Sequence, residues 1–158
     1  MPAAKPVGVL FVCLGNICRS PLAEGVFRYR VADAGLEDAF LIDSCGTSGY
    51  HVGEPPDPGS IQVAGRRGID LGEQRSRQLS PSDLRAFDYV VCMDASNVRN
   101  TRRLGAGPIG QLRDDDPLGP GPVPDPWGGG LSGFEEVFSI VDRSCEALLT
   151  RICQERCL

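Results

Sequence analysis

The sequence predicts an α/β fold, a three-layer open sheet of about four parallel strands with helices on both faces, and three observations predict it. The first is an apolar run over residues 7–12 that ends at a cysteine and is followed by a helix-start signal, Ser20-Pro21. The second is that further short apolar runs alternate with helix-length segments, and strand, helix, strand, helix in that order implies a parallel sheet covered on both sides. The third is the last stretch, where Phe134, Val137, Phe138, Val141, Cys145, Leu148, Leu149 and Ile152 recur at three and four residues. That is the spacing of an amphipathic helix closing one face of a sheet. A chain of 158 residues suits one domain, residues 1–158, around one core.

Each element has its own local reason. Residues 7–12 read as a buried strand, and Pro21 stands in the first helical turn, where a missing N–H costs nothing. The helix over 21–34 carries Leu22, Val26, Phe27 and Tyr29 near helical spacing and stops at Ala34-Gly35. Residues 40–44 read as a second strand. The loop over 46–59 is rich in glycine and proline and holds Tyr50 and the only histidine, His51, expected to be solvated. Asp57, between Pro56 and Pro58, reads as a turn residue, and 60–67 as a short helix closed by Gly68. Ser80 as N-cap, Pro81 and Asp83 at the capping-box position announce another helix. Residues 88–93 are the third strand, Asp94 caps a helix running through Arg103, and 109–112 form a weaker fourth strand. Residues 113–130 are acidic and then rich in Pro and Gly. Connections of that length are uncommon unless functional or disordered.

Composition narrows the function classes. With 41% hydrophobic and 23% charged residues the chain is an ordinary globular one. A net charge of -5 argues against nucleic acid as a partner, which would need a basic patch. The N-terminal stretch has one lysine, Lys5, and a short apolar run, neither a signal peptide nor a membrane span, so a cytoplasmic location and no membrane partner are expected. Cysteines stand at 13, 18, 45, 92, 145, 153 and 157, an odd number with no Cys-x2-Cys pair, which disfavours a disulfide framework. Cys145 reads as a core residue and Cys153 and Cys157 as bystanders.

The chemistry is concentrated after the first strand. Cys13 is followed by Leu14, Gly15, Asn16, Ile17, Cys18 and Arg19, whose six N–H groups have no evident strand or helix partner. Gly15 and Asn16 are the residues that accept unusual dihedrals there. A loop curled at a helix N-terminus is an anion nest. A thiol in such a nest beside a guanidinium ionises well below its free pKa of about 8.5, and Arg19 offers a planar fork for two phosphate oxygens. The pattern Cys-x-Gly-Asn-x-Cys-Arg-Ser-Pro from Cys13 to Pro21 resembles the signature of the low-molecular-weight protein tyrosine phosphatases. Asp43-Ser44, Gly46-Thr47, residues 68–71, Arg75-x-Arg77-Gln78, Phe87-Asp88, Met93-Asp94 and Asn97 extend the likeness along nearly the whole chain.

Expelling a tyrosine oxygen from phosphorus also needs an acid opposite the thiolate. The candidates are Asp125, Asp57 and the run Asp114, Asp115 and Asp116, which reads as a solvated face. Asp125-Pro126-Trp127 resembles the family's catalytic Asp-Pro-aromatic motif shortly before the last helix. The resemblance implies hydrolysis of phosphotyrosine, or of small aryl phosphates, through a cysteinyl-phosphate, with no metal and no cofactor. Cys13 would be the nucleophile, Arg19 and the loop amides would hold phosphate, and Asp125 would serve as acid and then base. Ser20 would hydrogen-bond the thiolate, Asn16 with Ser44 would hold the loop's shape, and Leu14, Tyr50 and Trp127 would line the slot for the ring.

Two departures from the family pattern stand out. Trp127 and Gly128 replace an adjacent tyrosine pair, and Gln74 stands where a histidine is often found. Three alternatives are an arsenate reductase, a protein arginine phosphatase and a non-enzymatic phosphate-binding module. The first needs further cysteines near Cys92, the second carries Thr where Ile17 stands, and the third needs neither Cys13 nor Asp125. Cys18 either packs the loop or forms a reversible disulfide with Cys13 under peroxide.

Overall fold

The computed structural model describes residues 4–158. Its centre is β1 (Val7–Cys13), every residue of which is buried. It pairs in parallel with β2 (Phe40–Gly46) on one side and β3 (Tyr89–Cys92) on the other, and β3 pairs in parallel with β4 (Ile109–Gln111). The sheet order is β2-β1-β3-β4, an α/β sheet of four parallel strands as the alternation of elements predicts.

Side chains alternate across the sheet with period two, and this sorts the core into two layers. Val9 and Phe11 face one way, packing with Leu22, Val26 and Phe27 of α1 (Arg19–Asp33) and Val137, Val141 and Leu148 of α5 (Leu131–Arg156). α2 (Pro58–Gly65) joins this face through Val63 and Ala64. Leu10 and Val12 face the other way, against Leu84 of α3 (Asp83–Ala86), Phe87, and Val98 of α4 (Ala95–Arg102). The Phe27 and Phe40 rings meet edge to face with centroids 5.6 Å apart, an arrangement that aligns positive ring edges with negative faces, and the Phe11 ring is tilted against Phe27 at 5.5 Å.

Several local expectations need correction. Asp57 is the N-cap of α2, accepting from the Gly59 N–H at 2.8 Å; Pro58 at the first helical position brings the helix start forward to it. Ser80 does not cap a long helix. The Asp83 carboxylate accepts from the Ser80 N–H at 2.9 Å but is also held by Arg77 at 3.1 Å, and α3 stops after four residues where Phe87 turns extended.

The acidic run is not a solvated face either. Asp116 is buried and clamped by Arg113 at 2.8 Å and Arg143 at 2.9 Å. Asp115 pairs with Arg151, and only Asp114 is exposed, its carboxylate taking the Gln111 N–H. Two arginines of α5 thus turn the start of the 113–130 loop into part of the packed structure. Burial alone would raise the Asp116 pKa, but the hydrogen bonds from Arg143, the Leu118 N–H and Arg113 outweigh it and hold the carboxyl down at about 2.

Candidate active site

Ligand sites in open parallel sheets lie beyond the carboxyl ends of the strands, and here the ends of β1 and β3 bring together segments far apart in sequence. β1 ends at Cys13 and α1 begins at Arg19, so the loop between them must reverse direction in five residues. Asn16 makes the turn with a left-handed φ of 56°, a conformation asparagine tolerates better than most residues. Gly15 is not left-handed; its role is to let a neighbour approach, since a Cβ there would lie 2.9 Å from His51 Cδ2. A Cβ on Gly46 at the end of β2 would lie 2.7 Å from the Leu14 carbonyl oxygen, so the loop rests directly on the backbone of the next strand.

A buried network fixes the loop from within. Asn16 donates through Nδ2 to Ser20 Oγ at 2.8 Å and to Ser44 Oγ at 3.0 Å, and its Oδ1 accepts from the Arg77 N–H at 3.0 Å. Ser44 in turn donates to Glu24 at 2.7 Å. Burial pushes the Glu24 carboxyl up, against the hydrogen bonds from Ser44 and Arg28. At the other end of the network Cys13 Sγ lies 3.0 Å from Ser20 Oγ and accepts from the Asn16 N–H at 3.3 Å. Among the described residues the N–H groups of Leu14, Gly15, Ile17, Cys18 and Arg19 have no hydrogen-bond partner in the protein. The same five amides are available to an anion placed over the thiol. Gln74 does not reach the loop; its Nε2 donates to the Pro21 carbonyl at 3.0 Å, at the start of α1.

Arg19 is almost fully buried, and its position is set by two other chain segments. Its Nη1 donates to Asp94 Oδ2 at 2.7 Å and to the Val123 carbonyl at 3.0 Å, while Nη2 lies 3.8 Å from Asp125 Oδ2. Asp94 serves twice, because its other oxygen accepts the Asn97 N–H at 2.8 Å to cap α4. Sequence reasoning identified the cap and missed the arginine; the sign that would have found it is a carboxylate at the end of the strand next to β1. Val123 is buried and donates to the Met93 carbonyl at 2.8 Å, so the loop carrying Asp125 is tied to the end of β3 two residues before the carboxylate. Asp125 itself is half-exposed and accepts the Trp127 N–H at 3.1 Å.

Cys13, Arg19 and Asp125 line one pocket of about 200 Å³, with Leu14, Ile17, Cys18, Tyr50, His51 and Trp127 on its walls. Leu14, Tyr50 and Trp127, the slot residues expected from the resemblance, are exposed apolar side chains at its mouth. His51 is not the freely solvated residue expected; it packs on Gly15 and its Nδ1 meets the Glu54 carboxylate. Cys18 lies in the same pocket, and burial, followed by the nearby Asp57 and Cys13, pushes its thiol well up. Cys92 is buried against Thr101 and pushed up by burial to about 12.

A thiol at a strand end, a nest of free amides, a buried guanidinium and a facing carboxylate define a class: enzymes that attack a tetrahedral oxyanion with cysteine. Residues 8–157 match the family model described as low molecular weight phosphotyrosine protein phosphatase. The chain is 46% identical over 149 residues to the low molecular weight phosphotyrosine protein phosphatase of Schizosaccharomyces pombe, covering 89% of this chain and 94% of that one. It is 42% identical over 157 residues to the low molecular weight protein-tyrosine-phosphatase YfkJ of Bacillus subtilis, covering 95% and 98%. The crystal structure of YfkJ superposes with a TM-score of 0.92 at 39% identity, over 98% of this chain and 99% of that one. The chain belongs to the low molecular weight phosphotyrosine protein phosphatase family.

Proposed function

We propose that the protein tyrosine phosphatase activity of this family is carried in this chain by Cys13, Arg19 and Asp125, acting in two displacements at phosphorus. The observation that carries the reading is that Asp125, more than a hundred residues from the loop that holds Cys13 and Arg19, lines the same pocket as those two side chains. The thiolate of Cys13 attacks the phosphorus of a phosphotyrosine, or of a small aryl phosphate, forming the S–P bond as the P–O bond to the phenol breaks. The loop amides and the Arg19 fork bind the three equatorial oxygens, on which charge accumulates in the transition state. Ser20, 3.0 Å from the sulfur, donates to the thiolate, and Asn16 with Ser44 keeps the amides converged. Asp125 gives its proton to the departing phenol oxygen and then draws one from the water that cleaves the cysteinyl-phosphate. Leu14, Tyr50 and Trp127 hold the ring, and the branched apolar Ile17 in the same wall favours a phenyl group over a guanidinium.

Three further assignments belong to the same reading. Residues 1–158 act as one domain, which is supported by one sheet and the helices packed on its two faces. Among the described residues no helix is long and apolar enough to cross a membrane, and every cysteine is a free thiol; a cytoplasmic location follows from a nucleophile that has to stay reduced. Cys18 serves as the redox partner of Cys13: peroxide takes the Cys13 thiolate to a sulfenic acid, and the Cys18 thiol condenses with it, forming the S–S bond and releasing water.

Turnover of para-nitrophenyl phosphate tests the assignment of the nucleophile and the acid. Cys13→Ser is expected to abolish it. Asp125→Ala is expected to slow aryl phosphates with leaving groups of high pKa by about 100-fold or more and those of low pKa far less. An active Cys13→Ser enzyme, or equal losses for both leaving groups in Asp125→Ala, would overturn the roles.

A further inference from the structure

A second groove, of about 520 Å³, adjoins the catalytic pocket and shares Leu14 and Tyr50 with it. The groove continues past Ser48 and Gln78 to Arg103 and Leu104 at the end of α4. Tyr50 is 83% exposed and Leu14 and Leu104 are also exposed, so an apolar floor lies uncovered beside the site. No carboxylate lines this groove.

The groove carries a cation without a carboxylate partner. The net charge is -5, and Arg19, Arg66, Arg113 and Arg151 each hold a carboxylate. Among the described residues Arg99, Arg102 and Arg103 hold none; Arg103 donates only to the neutral Asn100 at 3.1 Å. Arg99 and Arg103 are four residues apart on one helical stripe, where like charges repel. The helix dipole favours cations in a last turn, but it does not account for Arg99 or for a cation facing an open apolar groove. Through different residues, Ile17 and His51, the catalytic pocket also adjoins a groove lined by Glu54 and Asp57. The site therefore adjoins one groove with a cation and no carboxylate and another with two carboxylates.

We propose that the Leu14–Tyr50–Arg103 groove binds the polypeptide segment on one side of the phosphotyrosine, and that it selects an acidic side chain there. This rests on the phosphotyrosine reading and adds the substrate's flanking chemistry to it. An extended strand advances about 3.3 Å per residue, so the residues next to a phosphotyrosine seated over Cys13 pass across Leu14 and Tyr50 into the groove. The neighbouring carboxylate then meets the unpaired Arg103. The other flank runs beside Glu54 and Asp57, where a carboxylate is repelled, so the preference is one-sided.

The test compares kcat/KM for three phosphotyrosine peptides, with glutamates on the N-terminal side only, on the C-terminal side only, or on neither, at low and high salt. One of the two glutamate peptides is expected to exceed the neutral one by about threefold to tenfold at low salt, with the advantage shrinking at high salt. Arg103→Glu is expected to reverse that preference, and Arg103→Gln to remove it, while para-nitrophenyl phosphate, which has no flanking residues, turns over within about twofold of wild type. Equal rates for the three peptides, equal gains from glutamate on both sides, or a preference unchanged in Arg103→Glu would overturn the proposal. So would an equal loss of para-nitrophenyl phosphate turnover in that variant. Failure of wild type to hydrolyse para-nitrophenyl phosphate at all would instead strike the phosphatase reading itself.

Discussion

Cys18 shows how much a single residue's surroundings decide. It is a buried thiol at the foot of α1 whose ionisation is opposed first by burial and then by the charges of Asp57 and Cys13. On the proposed reading it would follow, not start, an oxidation: Cys13, with its amide and hydroxyl neighbours, would meet the oxidant, and Cys18 would close the disulfide afterwards. After peroxide and then a thiol reductant, wild type is expected to recover most of its activity while Cys18→Ser recovers little, because its sulfenic acid proceeds to irreversible acids. Full recovery by Cys18→Ser would remove Cys18 from that role. Asn16 is instructive in another way. Its left-handed backbone was legible from residue type, but the three hydrogen bonds of its side chain, to Ser20, Ser44 and the Arg77 N–H, join positions up to 61 apart in sequence.

At the scale of elements, the site is a meeting of strand ends. β1 supplies Cys13, and the turn after β3 supplies Asp94, which caps α4 and clamps Arg19 with its two oxygens. The two duties are separable by mutation. Asp94→Ser keeps an N-cap, since serine caps about as well as aspartate, but removes the carboxylate from the guanidinium. It is expected to leave Tm nearly unchanged and to lower kcat/KM for para-nitrophenyl phosphate by about tenfold to 100-fold, as an unclamped Arg19 meets the phosphate less often in the productive geometry. A large fall in Tm with kcat/KM intact would show that Asp94 only caps. Sequence patterns located β1 to β4, α1, α4 and α5 within a few residues, because burial periodicity and capping residues are local. α3 came out shorter than its start signal suggested: Asp83 is shared with Arg77, a partner no local pattern reveals.

For the molecule as a whole, the long 113–130 segment is an ordered part of the structure. Asp116 joins it to α5 through Arg143, and Val123 joins it to β3 and Arg19, so the carboxylate of Asp125 is placed by contacts on both sides of the chain's last crossover. Asp116 has a folded pKa drawn down from 3.8 to about 2, so its contribution to stability is fully present above the unfolded value and is lost as pH falls through about 2. Asp116→Asn is expected to cost about 2 kcal/mol at pH 7. The gap from wild type should narrow between about pH 4 and pH 2, read as the difference in urea midpoint at each pH. A gap that stays constant over that range would mean that the arginines gain nothing from the Asp116 charge.

The parallel α/β sheet, the strand-loop-helix that carries Cys13 and Arg19, and the family resemblance were legible in the sequence, since each is built from short local patterns whose order along the chain can be read directly. The folded chain was needed to show that Asp94 clamps Arg19, that Asp116 is a buried tie and not a solvated charge, that His51 packs on Gly15, and that Arg103, without a carboxylate partner, faces a groove beside the catalytic pocket. Periodicity and capping act between near neighbours, whereas the partner of a charge is whichever group the fold brings within about 4 Å of it, however distant in the chain.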